Sequence, residues 1–138
     1  MRSDSKPYEL ILEPRDKYLY ARVTAEAIDR HTANEYLQRI AAVCKEQHFN
    51  RVLIDRRIPM MMADSDNYLL IMDMTRFLGK RRIAFVNKYE QIDAKMELSE
   101  TISRNRNVPY RVFRTEEDAA RWLEDDDAAM ADLHTSEG

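Results

Sequence analysis

Residues 51 to 77 read RVLIDRRIPMMMADSDNYLLIMDMTRF. The apolar run Val52-Leu53-Ile54 stops abruptly at Asp55-Arg56-Arg57. An unbroken run of this length is the pattern of a strand covered on both faces, the usual state in the middle of a parallel sheet. A Met-rich segment follows, Ile58-Pro59-Met60-Met61-Met62-Ala63, and then a helical pattern that starts at Asp64 or Ser65 and stops at Gly79. On a helical wheel, Asp66, Asp73 and Arg76 share a polar sector that also holds Leu69. Tyr68, Leu70, Ile71, Met72, Met74, Phe77 and Leu78 cover about 200° of the rest. Covering a sheet takes about half that arc, so part of this helix is expected to meet a neighbouring helix, another subunit or an apolar ligand.

The flanking patterns complete an α/β domain. Tyr8 to Glu13 alternates with Tyr8, Leu10 and Leu12 on one face, Pro14-Arg15-Asp16 turns, and Lys17 to Thr24 alternates with Leu19, Ala21 and Val23 inward. This predicts a hairpin with one face in solvent. Asp29 or Thr32 opens a helix whose stripe is Ala33, Tyr36, Leu37, Ile40, Ala41 and Cys44. Cys44 belongs to that stripe, as a small buried hydrophobe does. Lys80-Arg81-Arg82 reads as a solvated helix end before a second buried strand, Ile83 to Val86. A third helix is expected over Asp93 to Asn105 with Ile92, Met96, Leu98 and Ile102 inward. Tyr110 to Arg114 reads as an edge strand because Pro109 precedes it. A last helix, opened by Thr115 and Asp118, carries Ala119, Ala120, Trp122 and Leu123. The order is β-β-α-β-α-β-α-β-α with a mixed sheet. Residues 1–123 form one domain, and 124–138 read as an acidic, disordered tail.

Composition narrows the function classes. Only two glycines occur, Gly79 and Gly138, whereas phosphate-cradling loops and nucleophile elbows need several. A Rossmann site, a P-loop and a G-x-S-x-G elbow are excluded. A single cysteine and three histidines without ligand spacing exclude an internal disulfide and point to no metal and no cofactor. No apolar run approaches the roughly 20 residues of a membrane span, so no integral membrane segment is expected, and the N-terminus has no signal-peptide core, which predicts a cytoplasmic protein. The net charge of −3 is uneven: six acids and no Lys or Arg lie in 124–138, leaving 19 acids against 22 basic residues in the body. Lys80-Arg81-Arg82 has no interleaved aromatics, so nucleic acid is not an expected partner.

VLIDRR at 52–57 and ETISRNRNVPYRVFRTEEDAARWL at 100–123, in this element order, resemble the SpoIIAA-like family of stand-alone bacterial domains, which are related to STAS domains and share a fold with CRAL-TRIO lipid-binding proteins. The resemblance covers about residues 8–123. It implies successive βα units, no catalytic residues and a cytoplasmic, non-enzymatic role. The better-understood relatives are anti-sigma factor antagonists that bind a kinase partner and are switched by phosphorylation at an Asp-Ser-Ser/Thr-Gly motif. The corresponding residues are Asp64-Ser65-Asp66-Asn67. Asp66 stands at the acceptor position and Asn67 at the glycine. Ser65 and Asp66 remain the candidate regulatory pair, because a phosphate is favoured at a helix N-terminus; the structural alternative is that Asp64 and Ser65 are N-caps.

Two surfaces are therefore candidates. The first is the Met loop with the second helix: Met60, Met61, Met62, Tyr68 and Met72 would bind a regulatory protein or a second copy of the chain as a homodimer, since flexible Met side chains adapt to varied partners. The structural alternative for the loop is a lid folded over the sheet end, and the alternative function is a carrier that binds an apolar small molecule or lipid under the second helix. The second surface is the polar cluster at the strand ends, Asp55, Arg56, Arg57 and Asn87, where ligands gather in open α/β sheets. There Asp55 is either a general base or anion clamp, or a group that terminates the strand and pairs with a neighbouring cation.

Overall fold

The computed structural model describes residues 7–125. Its elements are β1 (Glu9–Pro14), β2 (Leu19–Thr24), α1 (Arg30–Gln47), β3 (Arg51–Arg57), α2 (Asp64–Leu78), β4 (Arg82–Val86), α3 (Asp93–Asn105, entered through a 3-10 turn at Glu90–Ile92), β5 (Tyr110–Phe113) and α4 (Glu116–Glu124). The fold is α/β, with one five-stranded mixed sheet in the order β1-β2-β3-β4-β5 and four α-helices. β1 runs antiparallel to β2, and β2 through β5 are parallel.

Sequential parallel strands joined by right-handed crossovers place their helices on one face. Accordingly α1, α2 and α3 share a core with Leu19, Val23, Val52, Ile54, Ile83 and Phe85. The opposite face is covered by α4, whose Ala119, Trp122 and Leu123 pack on Tyr18, Tyr20, Leu53, Ala84 and Val86. This corrects the expectation of a hairpin with a solvated face. β2 is buried on both sides, because its tyrosines serve a second, smaller core. β3 carries one residue set to each core, as its unbroken apolar run requires.

Local signals explain the helix ends. Asp29 caps α1 by accepting the Thr32 amide at 2.8 Å, and His48 closes it in a left-handed conformation at φ 63°. Thr115 caps α4 by accepting the Asp118 amide at 3.1 Å. α2 differs from expectation: its N-cap is Ala63 with no side-chain cap bond, and neither Asp64 nor Ser65 serves as a cap. Asp64 is instead the first helical residue and pairs with Lys95 of α3 at 3.0 Å. Leu98, expected inward on α3, is exposed; Met96, Ser99 and Ser103 face the core in its place. The domain also reaches past Leu123. Glu124 ends α4, the Asp125 carbonyl accepts from Arg82 at 2.9 Å, and the remaining tail residues lie outside the described ones.

Candidate functional site

Chain direction at the end of β3 separates the strand-end residues. Side chains alternate across a strand, so Asp55 and Arg57 point to the α4 side and Arg56 to the α1–α3 side. Asp55 is buried and accepts from the Tyr20 hydroxyl at 2.7 Å and from Arg57 at 3.0 Å, with Arg22, its neighbour in register on β2, at 3.8 Å. The Tyr20 hydroxyl also accepts from Arg22 Nε at 3.1 Å. Burial, and then the Asp55 hydrogen bond, push the Tyr20 pKa up, so the phenol keeps the proton it donates. This is an ion-pair network in which all three partners meet one carboxylate oxygen, Asp55 Oδ2.

Asn87 lies apart from that network. It is buried at the end of β4, donates to Asp93 Oδ1 at 3.0 Å and to the Tyr89 carbonyl at 3.1 Å, and so builds the turn into α3. Arg114 donates to Asp93 Oδ2 at 2.6 Å across the same corner. The four strand-end residues thus occupy three separate environments and do not converge on one ligand position.

On the other face, Arg56 is buried and its guanidinium donates to the carbonyls of Ile58 at 2.7 Å and Met60 at 2.8 Å. These bonds hold the Met loop down over the sheet end. Tyr36, pushed up in pKa by burial, feels the Arg56 charge and a hydrogen bond from it in the opposite direction. Behind the loop lies a cavity of about 30 Å³, walled by Arg56, Tyr36, Met62, Ile71, Phe85 and Met96 among others. Asn67 of α2 donates to Ser99 Oγ of α3 at 2.7 Å at its edge, tying the two helices together.

The Met loop is divided. Met60 is 56% exposed, Met61 is half-buried, and Met62 is buried against the core. Met62 is therefore not available to a partner, in contrast to the expectation; its side chain fills the space beneath the loop. Along α2, Tyr68 and Leu69 are exposed and Met72 is half-buried. Tyr68 interacts with Arg106 at the end of α3, whose guanidinium sits 5.5 Å from the ring centre. Ser65 and Asp66 are exposed on the first turn of α2.

The polar sector of α2 does not face solvent as its charges suggest. Asp73 is buried against α1, accepting from Arg30 Nε and Asn34 Nδ2, both at 3.0 Å, and from Arg76 at 2.9 Å. The 80–82 basic run is equally structural. Arg81 donates to the Phe49 and Leu78 carbonyls, and Arg82 is buried beneath α4 with a hydrogen bond to the Trp122 carbonyl. Cys44 is buried in α1, and burial pushes its thiol up to about 11, which keeps it protonated and unreactive. Among the described residues no group of His, Cys, Asp and Glu is arranged to hold a metal ion, and no helix is long and apolar enough to cross a membrane.

Arg56, as the cation clamping the Met loop, escaped the reading of the sequence. Strand alternation from Ile54 to Arg57 was the available signal, since it sends Arg56 to the opposite face from Asp55. Compared with protein-family models and with curated proteins, the chain matches none.

Proposed function

We propose that this protein is a non-enzymatic interaction module of the SpoIIAA-like type, acting in the cytoplasm and binding a regulatory protein or a second copy of itself through the Met loop and α2. One observation carries the reading. The exposed large hydrophobic residues among those described are Met60, Tyr68, Leu69 and Leu98, and all belong to the loop, α2 and α3 on one side of the sheet. Scattered single hydrophobes are ordinary on a surface, but their restriction to one side marks a contact region. Asp55 is buried and paired with Arg57 and Arg22, which supports a structural role for this carboxylate over a chemical one.

Light scattering coupled to size-exclusion chromatography, with affinity capture from the source cell, tests the reading. Leu69→Asp with Met60→Asp is expected to turn a dimer into a monomer or to abolish partner capture. Identical mass and capture for wild type and variant would remove the proposal.

A second reading is a carrier of an apolar small molecule or lipid beneath α2. The cavity favours it by position, since it opens at the carboxyl ends of the parallel strands. At about 30 Å³ it offers room for about two water molecules, so a lipid would require the Met loop to move.

A further inference from the structure

Arg56 is a buried cation without a counter-ion among the described residues. Among the described residues it forms no salt bridge: its contacts are the Ile58 and Met60 carbonyls and the Tyr36 hydroxyl. Every other buried charged side chain on this side of the sheet is compensated, as Asp73 is by Arg30 and Arg76. A guanidinium has five N–H donors in a planar fork that matches a carboxylate. Two are used on loop carbonyls and one on Tyr36, fewer than the five, and Arg56 forms part of the cavity wall. Burying a charge is costly unless it is paired, so an anion at this position would be bound by a site already carrying the cost.

The rest of the wall sets the class of anion. Ile71, Met74, Phe85 and Met96 are apolar, Tyr36 and Tyr110 are buried phenols that both feel the Arg56 charge, and the Asn67 and Ser99 side chains are occupied with each other and with the Lys95 carbonyl. One cation in a largely apolar wall suits a monoanion with a hydrocarbon end; a dianion would bring a second charge with no cation to match it. The half-buried lining residues Ile28, Met61 and Leu70 mark the mouth. Met61 is unbranched and can swing to admit a chain longer than the closed cavity holds.

We propose that the cavity beneath the Met loop binds aliphatic monocarboxylates, with the carboxylate on Arg56 and the chain directed past Met61 and Leu70. The proposal rests on the carrier reading for its cavity and is independent of the exposed surface of α2.

Methyl NMR of protein carrying ¹³C-methyl methionine, titrated with sodium butyrate and octanoate and in parallel with 1-butanol and 1-octanol, provides the test. Met61, Met62, Met74 and Met96 line the cavity, and Met60 and Met72 stand outside it as controls. The expected result is a shift confined to the lining methyls, with the carboxylates binding at least tenfold tighter than the matching alcohols. Arg56→Met is expected to abolish that preference. If Arg56→Met fails to fold, Met61→Trp, which plugs the mouth from a half-buried position, is expected to weaken carboxylate binding at least tenfold. Equal binding of acid and alcohol would overturn the role of Arg56 and leave the carrier reading standing. Binding of neither would overturn both. Carboxylate affinity unchanged in Met61→Trp, or shifts at the control methyls alone, would place the ligand elsewhere and overturn the proposal.

Discussion

Asp73 of α2 and Arg30 at the start of α1 meet at 3.0 Å, with the carboxylate buried and the guanidinium partly exposed. This contact, with Asn34 beside it, sets the rotation of α2 about its axis and so determines that Tyr68 and Leu69 face outward. Asp73→Ala takes the acceptor from the half-buried Asn34 amide and the Arg30 guanidinium, and is expected to cost about 2–3 kcal/mol in urea unfolding. Combining it with Arg30→Met is expected to cost less than the two single changes added together.

Asp73 also predicts an acid limb. Burial acts to raise its pKa, but hydrogen bonds from Asn34 and Arg30 and the charges of Arg30 and Arg76 outweigh it, leaving the carboxyl below its ordinary value. With the folded pKa lower than the unfolded one, near about 4, the unfolded chain takes up the proton first. The stabilisation is complete above the unfolded pKa and is lost as pH falls through the folded one. Asp73→Asn should therefore show a shallower loss of stability than wild type as pH is lowered below about 4, measured by thermal unfolding across a pH series.

Tyr20→Phe removes the 2.7 Å donor to buried Asp55 and leaves Arg57 and the more distant Arg22 in place. A loss of about 1–2 kcal/mol is expected, with the helical content unchanged by circular dichroism.

Gly79 ends α2 at φ 64° and ψ −132°, a backbone region that side chains rarely enter, and no atom lies within 4 Å of the position a Cβ would take. Gly79→Ala should thus destabilise by about 1–2 kcal/mol from backbone strain alone, with no change in core packing. A destabilisation near zero by denaturant unfolding would contradict this conformation.

Among the described methionines, mild peroxide treatment should oxidise Met60 first, Met61 and Met72 more slowly, and Met62, Met74 and Met96 only on unfolding, as peptide mass spectrometry would show. The order follows exposure, which governs access of the oxidant to the thioether.

Much of the architecture is written in local patterns. The α1 cap at Asp29 and the edge position of β5 after Pro109 are signalled within a few residues, and the buried run of β3 announces a central strand. What local patterns hide is the partner. Asp73 and its partners are 43 and 39 residues apart in the chain, so a helical wheel assigns the carboxylate to solvent. Tyr18 and Tyr20 alternate with Leu19 and Ala21 and read as a wet face until Trp122 and Leu123 need somewhere to pack. Met60 and Met62 have the same composition signal, and the path of the loop under the Arg56 clamp alone separates an exposed residue from a buried one.

Among the described residues α4 alone covers the second face, which has a consequence for synthesis. A ribosome that has released only residues up to about Arg114 holds a nascent sheet whose Tyr18, Tyr20, Leu53, Ala84 and Val86 are still wet. Completion of that half of the interior waits for Thr115 and the nine residues of α4. Until they emerge, the newborn chain offers a sticky platform, the kind of surface that chaperones shield.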